Sequence, residues 1–246
     1  MKPVYIVSWL FALAISFVSC DDWLDKTPKD RLYPDVYFKT EDELRLFTNQ
    51  FYNNLVPSAV DIYSESSDLI VKSDLMLEMS GQRIIPDEGN GWNFTALRDI
   101  NFYLQYSHNC TEVNARNRYD GVARFFRAYF YFEKVKRYGD IPWYDKALDS
   151  DDPELYKARD SREFVMQKML EDLDFAIANL PKTKNAYVLT RWTALALKSR
   201  VCLFEGTFRK YHGLEDCEKY LNACVSASET FMNESGYTLY KSGSTP

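Results

Sequence analysis

The chain has 246 residues, a formal charge of −6 at pH 7, and only nine glycines and nine prolines. Aromatic residues make up 16% of it. This composition excludes a largely disordered chain and favours a well-packed, mostly helical body, while the acidic balance without a basic cluster argues against nucleic acid as a partner.

The first predicted element is an export signal. The residues between Lys2 and Ser19 are almost wholly apolar, and Cys20 follows directly. The run is shorter than the roughly 20 residues that a membrane-spanning helix needs, so it predicts a signal peptide at 1–19. A small residue before a cysteine is similar to the bacterial lipobox, although Phe17 stands where leucine is usual. The pattern predicts acylation of Cys20; the alternative is a secreted protein with an unmodified cysteine.

Two helices are predicted in the first half of the chain. The sequence Thr40-Glu41-Asp42-Glu43 is a capping-box pattern, so we expect a helix to begin at Thr40 and to end before Pro57. Residues 58–92 are predicted to be irregular, and 93–108 to be helical. The apolar stripes of the two helices are Leu44, Phe47, Phe51 and Leu55, and Leu97, Ile100 and Leu104.

A third helix is predicted at 119–138, because its aromatic residues recur at helical spacing and Gly139 stops the pattern. The aromatic band at 125–132 is predicted to be core. Trp143 and Tyr144 are predicted to be half exposed. Residues 149–154, "DSDDPE", are predicted to be a solvated loop, with calcium ligation as the alternative.

Three more helices are predicted towards the end of the chain. Asp160 is predicted to cap the first, with Glu163 closing a capping box, and Thr190 is predicted to begin the second. Gly213 separates the second from a last helix at 214–232. The inward faces are predicted to be Met166, Leu170, Leu173, Ile177 and Leu180, and Trp192, Leu195, Ala196, Ser199 and Leu203. Consecutive amphipathic helices predict an all-α fold of packed helical hairpins with a degenerate repeat.

Five cysteines are present, and four remain if Cys20 is acylated: Cys110, Cys202, Cys217 and Cys224. Cys217 and Cys224 lie seven residues apart on one predicted helix, which is about 10 Å of rise and too far for a disulfide between them. Cys202 could reach one of them from a neighbouring helix, or all four could be free thiols.

Five segments carry a family resemblance. They are "CDDWLDKTP" at 20–28, "YFKTEDEL" at 37–44, "RFFRAYFYFEKVKRYGDIPWY" at 124–144, "SREFVMQKMLEDLDFAIANLP" at 161–181 and "RWTALALKSRVCLF" at 191–204. In this order they resemble the SusD/RagB family, the surface nutrient-binding lipoproteins of Bacteroidota. The aromatic helix followed by Arg-Tyr-Gly-Asp-Ile-Pro is the most specific of them.

The resemblance implies helical hairpins stacked as a tetratricopeptide-like superhelix with irregular loops, and no catalysis. It implies a lipid-anchored protein at the outer membrane and cell surface, partnered with a SusC-type TonB-dependent transporter and an oligosaccharide or peptide ligand. Because family members are about twice as long, the chain resembles their N-terminal half. The implied organisation is a signal peptide at 1–19, a lipidated segment at 20–40 and a helical domain at 41–246.

The loop "SGQRIIPDEGNGWNF" at 80–94 is the predicted ligand site. Trp92 offers a flat apolar face to a sugar ring, and an arginine supplies several donors for hydroxyl groups. The resemblance places glycan contacts in this region by position. The predicted ligand-binding residues are Arg83, Asp87, Asn90, Trp92 and Asn93. The alternative is structural: Trp92 packs on the following helix, and Arg83 pairs with Asp87 or Glu88.

Catalysis is not predicted. The sequence contains no G-x-S-x-G, H-E-x-x-H, P-loop or S-x-x-K motif, and no metal-ligand spacing. His108 is predicted to cap a helix end. We therefore predict no catalytic residue, metal or cofactor; the alternatives to a binding protein are a helical adaptor or non-binding fragment and a secreted glycoside hydrolase.

Overall fold

The computed structural model describes residues 36–57, 80–82, 84 and 91–239. This part of the chain contains six α-helices: α1 Glu41–Leu55, α2 Thr95–Tyr106, α3 Val113–Tyr138, α4 Arg162–Asn179, α5 Arg191–Tyr211 and α6 Cys217–Glu234. Two short 3₁₀ helices, Ser107–Asn109 and Pro153–Tyr156, accompany them. The described residues form no strand, and one isolated bridge joins Ile141 to Asp160. The predicted all-α class is confirmed.

All six helices belong to one compact unit, Phe38–Pro246, and the unit Met1–Tyr37 lies outside the described residues except for its last two. The most extensive helix contacts join α3 to α4 and α5 to α6, and α4 also packs on α5. From α3 onward, each helix therefore packs against the next helix in the chain, which is the arrangement of stacked helix pairs, and α1 packs on both α2 and α3.

The start of α1 is set by local hydrogen bonds. Thr40 accepts from the Glu43 backbone N–H at 3.3 Å, and the Glu43 carboxylate accepts from the Thr40 N–H at 3.1 Å. This is the predicted capping box. The helix ends at Leu55, two residues before Pro57, as predicted.

An aromatic cluster joins α1, α2 and α3. Phe51 of α1 packs edge to face on Tyr103 of α2 and Phe126 of α3, with ring centroids 6.2 and 6.0 Å apart. All three side chains are buried, and Phe38 is buried beside them. Because edge-to-face pairs add to the free energy of area burial, this cluster anchors α1 to the helices that follow.

Helix α3 begins at Val113, six residues earlier than predicted. Residues 113–118 contain no aromatic residue, and the N-cap, Glu112, makes no side-chain capping bond, so neither aromatic periodicity nor a cap marked the start. The predicted aromatic core is confirmed: Phe125, Phe126, Phe130, Tyr131 and Phe132 are all buried.

The predicted capping box at α4 is wrong. Ser161, and not Asp160, is the N-cap, and its hydroxyl accepts from the Phe164 N–H at 3.3 Å. The Asp160 carboxylate instead accepts from the Trp143 N–H and pairs with Lys157. Glu163 turns to α5 and α6, where Arg209 and Tyr220 contact its carboxylate.

Helix α5 begins at Thr190 as predicted, but part of its predicted inward face is wrong. Trp192 and Leu195 are buried, whereas Ala196 and Leu203 are exposed. The inward face carries charged residues instead: Glu205 is completely buried because Arg162 and Arg209 contact its carboxylate at 2.7 and 2.8 Å. The last helix begins at Cys217, three residues after the predicted start.

The described cysteines are all free thiols. Cys110 and Cys202 are buried, and Cys217 and Cys224 are partly exposed. Burial raises the pKa of the Cys202 thiol to about 12, so it remains protonated at neutral pH. The structure thus agrees with the alternative that all four cysteines are free thiols. Cys20 lies outside the described residues.

None of the described helices combines the length and the apolar character needed to cross a bilayer.

Candidate functional site

A cavity of about 530 Å³ opens between the start of α2 and the loop 139–161 that connects α3 to α4. Its volume suits a small ligand or part of an oligosaccharide. The walls are lined by Trp92, Phe94, Thr95, Leu97, Arg98, Asn101, Pro142, Tyr144, Lys146, Leu148, Leu155, Lys157, Ala158 and Arg159.

Trp92 provides an aromatic surface at the first wall and is 41% exposed. The rings of Phe94 and Tyr138 meet it edge to face, with centroids 5.3 and 4.9 Å away. The Arg159 guanidinium lies 5.0 Å from its centroid. These contacts hold the indole in place while leaving much of its surface accessible.

Gly91 allows the chain to place Trp92 there. Its φ is +81°, a conformation that glycine adopts without the strain of a side chain. A Cβ at this position would lie 3.3 Å from the Tyr138 hydroxyl. Lys134 of α3 donates to the Gly91 carbonyl, and burial lowers the pKa of this lysine. The backbone before Trp92 is therefore tied to α3.

The second wall is the loop after α3, which side chains of α2 hold in position. The Asn101 amide donates to the carbonyls of Tyr144 and Lys146 at 2.8 and 3.2 Å. Arg98 Nε donates to the Leu148 carbonyl at 3.2 Å. These bonds satisfy loop carbonyls that would otherwise be desolvated, so one face of α2 supports the cavity wall.

A buried ion pair lies behind Asn101. Arg127 binds Asp172 through two hydrogen bonds of 2.6 and 2.7 Å, and it also donates to Asn101 Oδ1 at 3.2 Å. Burial by itself would lower the pKa of Arg127, but the bonds to Asp172 leave it raised. The pair fixes the orientation of the Asn101 amide, with its oxygen towards Arg127 and its nitrogen towards the loop.

In the described part of the lining, the charged residues are all basic: Arg98, Lys146, Lys157 and Arg159. Lys146 pairs with Asp152 and Glu154 at 3.4 and 2.9 Å, and these carboxylates raise its pKa.

Lys157 is held in a different way. It pairs with Asp160 at 2.9 Å and donates to the Trp143 carbonyl at 2.7 Å. The acidic loop 149–154 thus pairs with Lys146, and Lys157 pairs with a carboxylate outside that loop. Across the described ranges, no three His, Cys, Asp or Glu side chains converge as metal ligands would.

Two of the predicted ligand-binding residues, Trp92 and Asn93, are described by the structure, and they lie in different cavities. Trp92 lines the cavity, whereas Asn93 lines a second cavity, of about 510 Å³, on the side of α1 and α3. The Asn93 oxygen accepts from the Thr95 N–H at 2.8 Å, so its side chain binds the first turn of α2. Arg83, Asp87 and Asn90 lie outside the described residues.

Most of the lining was missed because it comes from the loop 139–161, far from Trp92 in sequence. Trp143 and Tyr144, predicted to be half exposed, are buried: Trp143 stacks on Tyr131 with centroids 4.2 Å apart, and the Tyr144 N–H donates to the Tyr131 hydroxyl at 2.6 Å. The available signal was the presence of Tyr144 and three basic residues, Lys146, Lys157 and Arg159, within "YDKALDSDDPELYKAR", 144–159.

His108 has a local role. Its Nδ1 lies 2.8 Å from the Gln105 carbonyl, at the end of α2. The predicted helix-end contact of this histidine is confirmed.

Comparison with known proteins connects the fold to a family. The sequence model of the SusD-like family, described as "Starch-binding associating with outer membrane", matches residues 51–191. The SusD-like protein P38 of Formosa agariphila is 25% identical over 226 residues, which cover 83% of this chain and 43% of that protein.

Solved structures share the fold. A SusD-like protein of Bacteroides fragilis aligns with a TM-score of 0.60 and 23% identity over 87% of this chain and 42% of that one. A crystal structure with xylogluco-oligosaccharide aligns with a TM-score of 0.50 and 22% identity over 60% of this chain and 29% of that one.

The fold and the cavity define an all-α protein of stacked helix pairs with an open, ligand-sized cleft beside a long loop. The family match extends over more than half of the residues, and the chain belongs to the SusD-like family. The predicted family is thereby confirmed. The chain spans about 43% of the length of the curated relatives that it matches.

Proposed function

We propose that the protein is a lipid-anchored glycan-binding protein of the outer membrane. It captures oligosaccharides at the cell surface and passes them to a SusC-type TonB-dependent transporter. The observation that carries the proposal is the exposed Trp92 indole at the rim of a cavity with hydrogen-bond donors along its walls. The starch-binding description of the family, and the xylogluco-oligosaccharide in a structure of the same fold, support a glycan as ligand.

The chemistry of the cavity suits sugar binding. A sugar ring presents apolar C–H groups on one face and hydroxyl groups around its edge. Trp92 offers an apolar surface to the first, and the terminal nitrogens of Arg98 and Arg159 are donors for the second. Binding without turnover is proposed, since the cavity residues serve contact and orientation.

The organisation proposed for the chain is a signal peptide at 1–19, acylated Cys20 within a segment at 20–40, and the helical domain from residue 41 onward. The first two lie mostly outside the described residues. Their basis is the sequence order of apolar run, Ser19 and Cys20.

The test is glycan binding by the full chain, purified in a detergent without a sugar headgroup. A glycan array identifies retained oligosaccharides, and calorimetry gives the Kd for each. Trp92→Ala should weaken binding at least about 10-fold, equivalent to about 1.4 kcal/mol, because one stacking surface is lost. Its Tm should change little, since the ring is 41% exposed.

Tyr187→Ala is the matched control, because Tyr187 is 90% exposed and lies outside the cavity lining. This variant should bind glycan with the same Kd as the chain without the substitution. Chromatography of the recovered glycan distinguishes the alternatives: shortened products would indicate a glycoside hydrolase. An array with no retained glycan would favour the helical adaptor or non-binding fragment. A collapse of Tm in Trp92→Ala would assign the ring to the core.

A further inference from the structure

The four basic residues of the cavity contrast with the charge of the whole chain. The chain carries a net charge of −6, with 36 acidic and 30 basic residues. The described residues that line the cavity nevertheless include four cations and no carboxylate. A local positive cluster in an acidic protein is not explained by overall composition. It creates a local potential that favours an anion in the cavity over the surrounding surface.

Two of the four cations have carboxylate partners within the loop. Lys146 contacts Asp152 and Glu154, and Lys157 contacts Asp160. These contacts largely neutralise both lysines, so they contribute little attraction for a charged ligand.

Arg98 and Arg159 differ from the lysines, because neither forms an ion pair with a carboxylate of the described residues. Arg98 uses Nε to bind the Leu148 carbonyl, which leaves its terminal nitrogens for a ligand. Its sequence neighbour Asp99 lines the second cavity. Arg159 lies over the Trp92 ring, so an aromatic contact, and not an acid, positions its planar fork.

Guanidinium groups of this kind bind carboxylate or sulfate oxygens through paired hydrogen bonds, which are stronger than bonds to neutral hydroxyls. The Trp92 indole beside Arg159 supplies the apolar contact for the ring that carries the anionic group. The arrangement combines, in one cavity, an aromatic surface for a sugar with two guanidinium groups that form no ion pair among the described residues.

We propose that the cavity selects acidic oligosaccharides, whose sugars carry a carboxylate or a sulfate ester, over neutral ones, with Arg98 and Arg159 as the residues that determine this specificity. The inference rests on the proposed glycan-binding function and names its substrate class.

The experiment uses the full chain in detergent and three tetrasaccharides. They are tetragalacturonate, its carboxyl-reduced neutral counterpart, and an anionic tetrasaccharide made of neutral sugars that carry sulfate esters. At low ionic strength, at least one acidic probe should bind about 10-fold or more tightly than the neutral one, and added salt should reduce the difference. Comparison of the two acidic probes distinguishes carboxylate from sulfate recognition.

Arg159→Gln and Arg98→Gln should each remove most of the preference for the acidic probe, because the acidic probe loses a charge-assisted hydrogen bond and the neutral probe loses only a bond between a donor and a neutral hydroxyl group. Arg200→Gln is the control, since Arg200 is exposed on α5 outside the lining; it should keep the preference. Circular dichroism confirms that each variant is folded.

The outcomes separate this inference from the proposed function. Equal or weaker binding of both acidic probes, with the neutral probe or another neutral glycan bound, overturns the acidic preference and leaves the glycan-binding function standing. Retention of no glycan, acidic or neutral, overturns both. A preference that survives in both arginine variants also overturns the specificity role of these residues.

Discussion

At the scale of single residues, small side chains mark where helices approach most closely. Gly206 of α5 faces α6, and a Cβ there would lie 2.7 Å from Leu221 Cδ2 and 3.1 Å from the Leu221 backbone nitrogen. Gly121 of α3 faces Leu180, where the nearest atom would be 3.4 Å away. A side chain at position 206 would therefore clash with α6, whereas one at position 121 would make an ordinary van der Waals contact with Leu180.

Gly206→Ala should destabilise the protein by up to about 2 kcal/mol. Alanine favours a helix by about 1 kcal/mol over glycine, but the added methyl group would push α6 away, and overpacking costs about 1–3 kcal/mol. Gly121→Ala is the matched control and should be neutral or stabilising by up to about 1 kcal/mol. Urea unfolding followed by circular dichroism measures both; equal stability of the two variants would contradict the close approach.

At the scale of elements, buried charge pairs hold helices in register. Arg127 of α3 and Asp172 of α4 are 7% and 2% exposed and share two hydrogen bonds. Glu205 of α5 joins Arg162 of α4 in the same manner. Since a buried charge is tolerated only beside its partner, these pairs specify which helix faces meet.

Asp172→Asn should lower the free energy of unfolding by about 3 kcal/mol, because it leaves the Arg127 guanidinium buried without its counterion. Glu171→Gln on the same helix is the control: Glu171 pairs with Lys168 at 2.8 Å in an exposed position, so its loss should cost less than about 0.5 kcal/mol. Denaturant titration at low salt measures the free energy of unfolding of both variants. A cost for Asp172→Asn no larger than that of the control would show that α3 and α4 do not depend on the pair.

At the scale of the whole molecule, the helices of the described part of the chain belong to one compact unit. The proposed function requires an anchor, and we propose that acylated Cys20 provides it. The described helices include none that could span a membrane. The proposed attachment through several acyl chains on one cysteine would be firm, because each buried methylene contributes about 0.8 kcal/mol.

Cys20→Ala should therefore move the protein from the membrane to the soluble fraction, because it removes the acylation site. Fractionation with immunodetection gives the distribution between membrane and soluble fractions. Mass spectrometry of the chain without the substitution should find the acyl chains on Cys20. Cys110→Ala is the control, as that thiol is buried within the helical body. Membrane retention of Cys20→Ala would disprove the anchor.

Local patterns in the sequence determined where most helices begin and end. The capping boxes at Thr40 and Thr190 and the stop at Gly139 act over a few residues, so no distant partner is needed to form them. The aromatic core was predictable for the same reason, since helical spacing places large apolar side chains on one face.

Tertiary structure decided the cavity and the buried charges. Arg98 and Trp92 become parts of one site only because the loop 139–161 returns to the start of α2 and is bonded there by Asn101. Glu205 is buried only because Arg162 and Arg209 surround its carboxylate. Helix formation depends on neighbours along the chain, whereas burial of charge and enclosure of a cavity depend on partners distant in sequence, which no periodicity records.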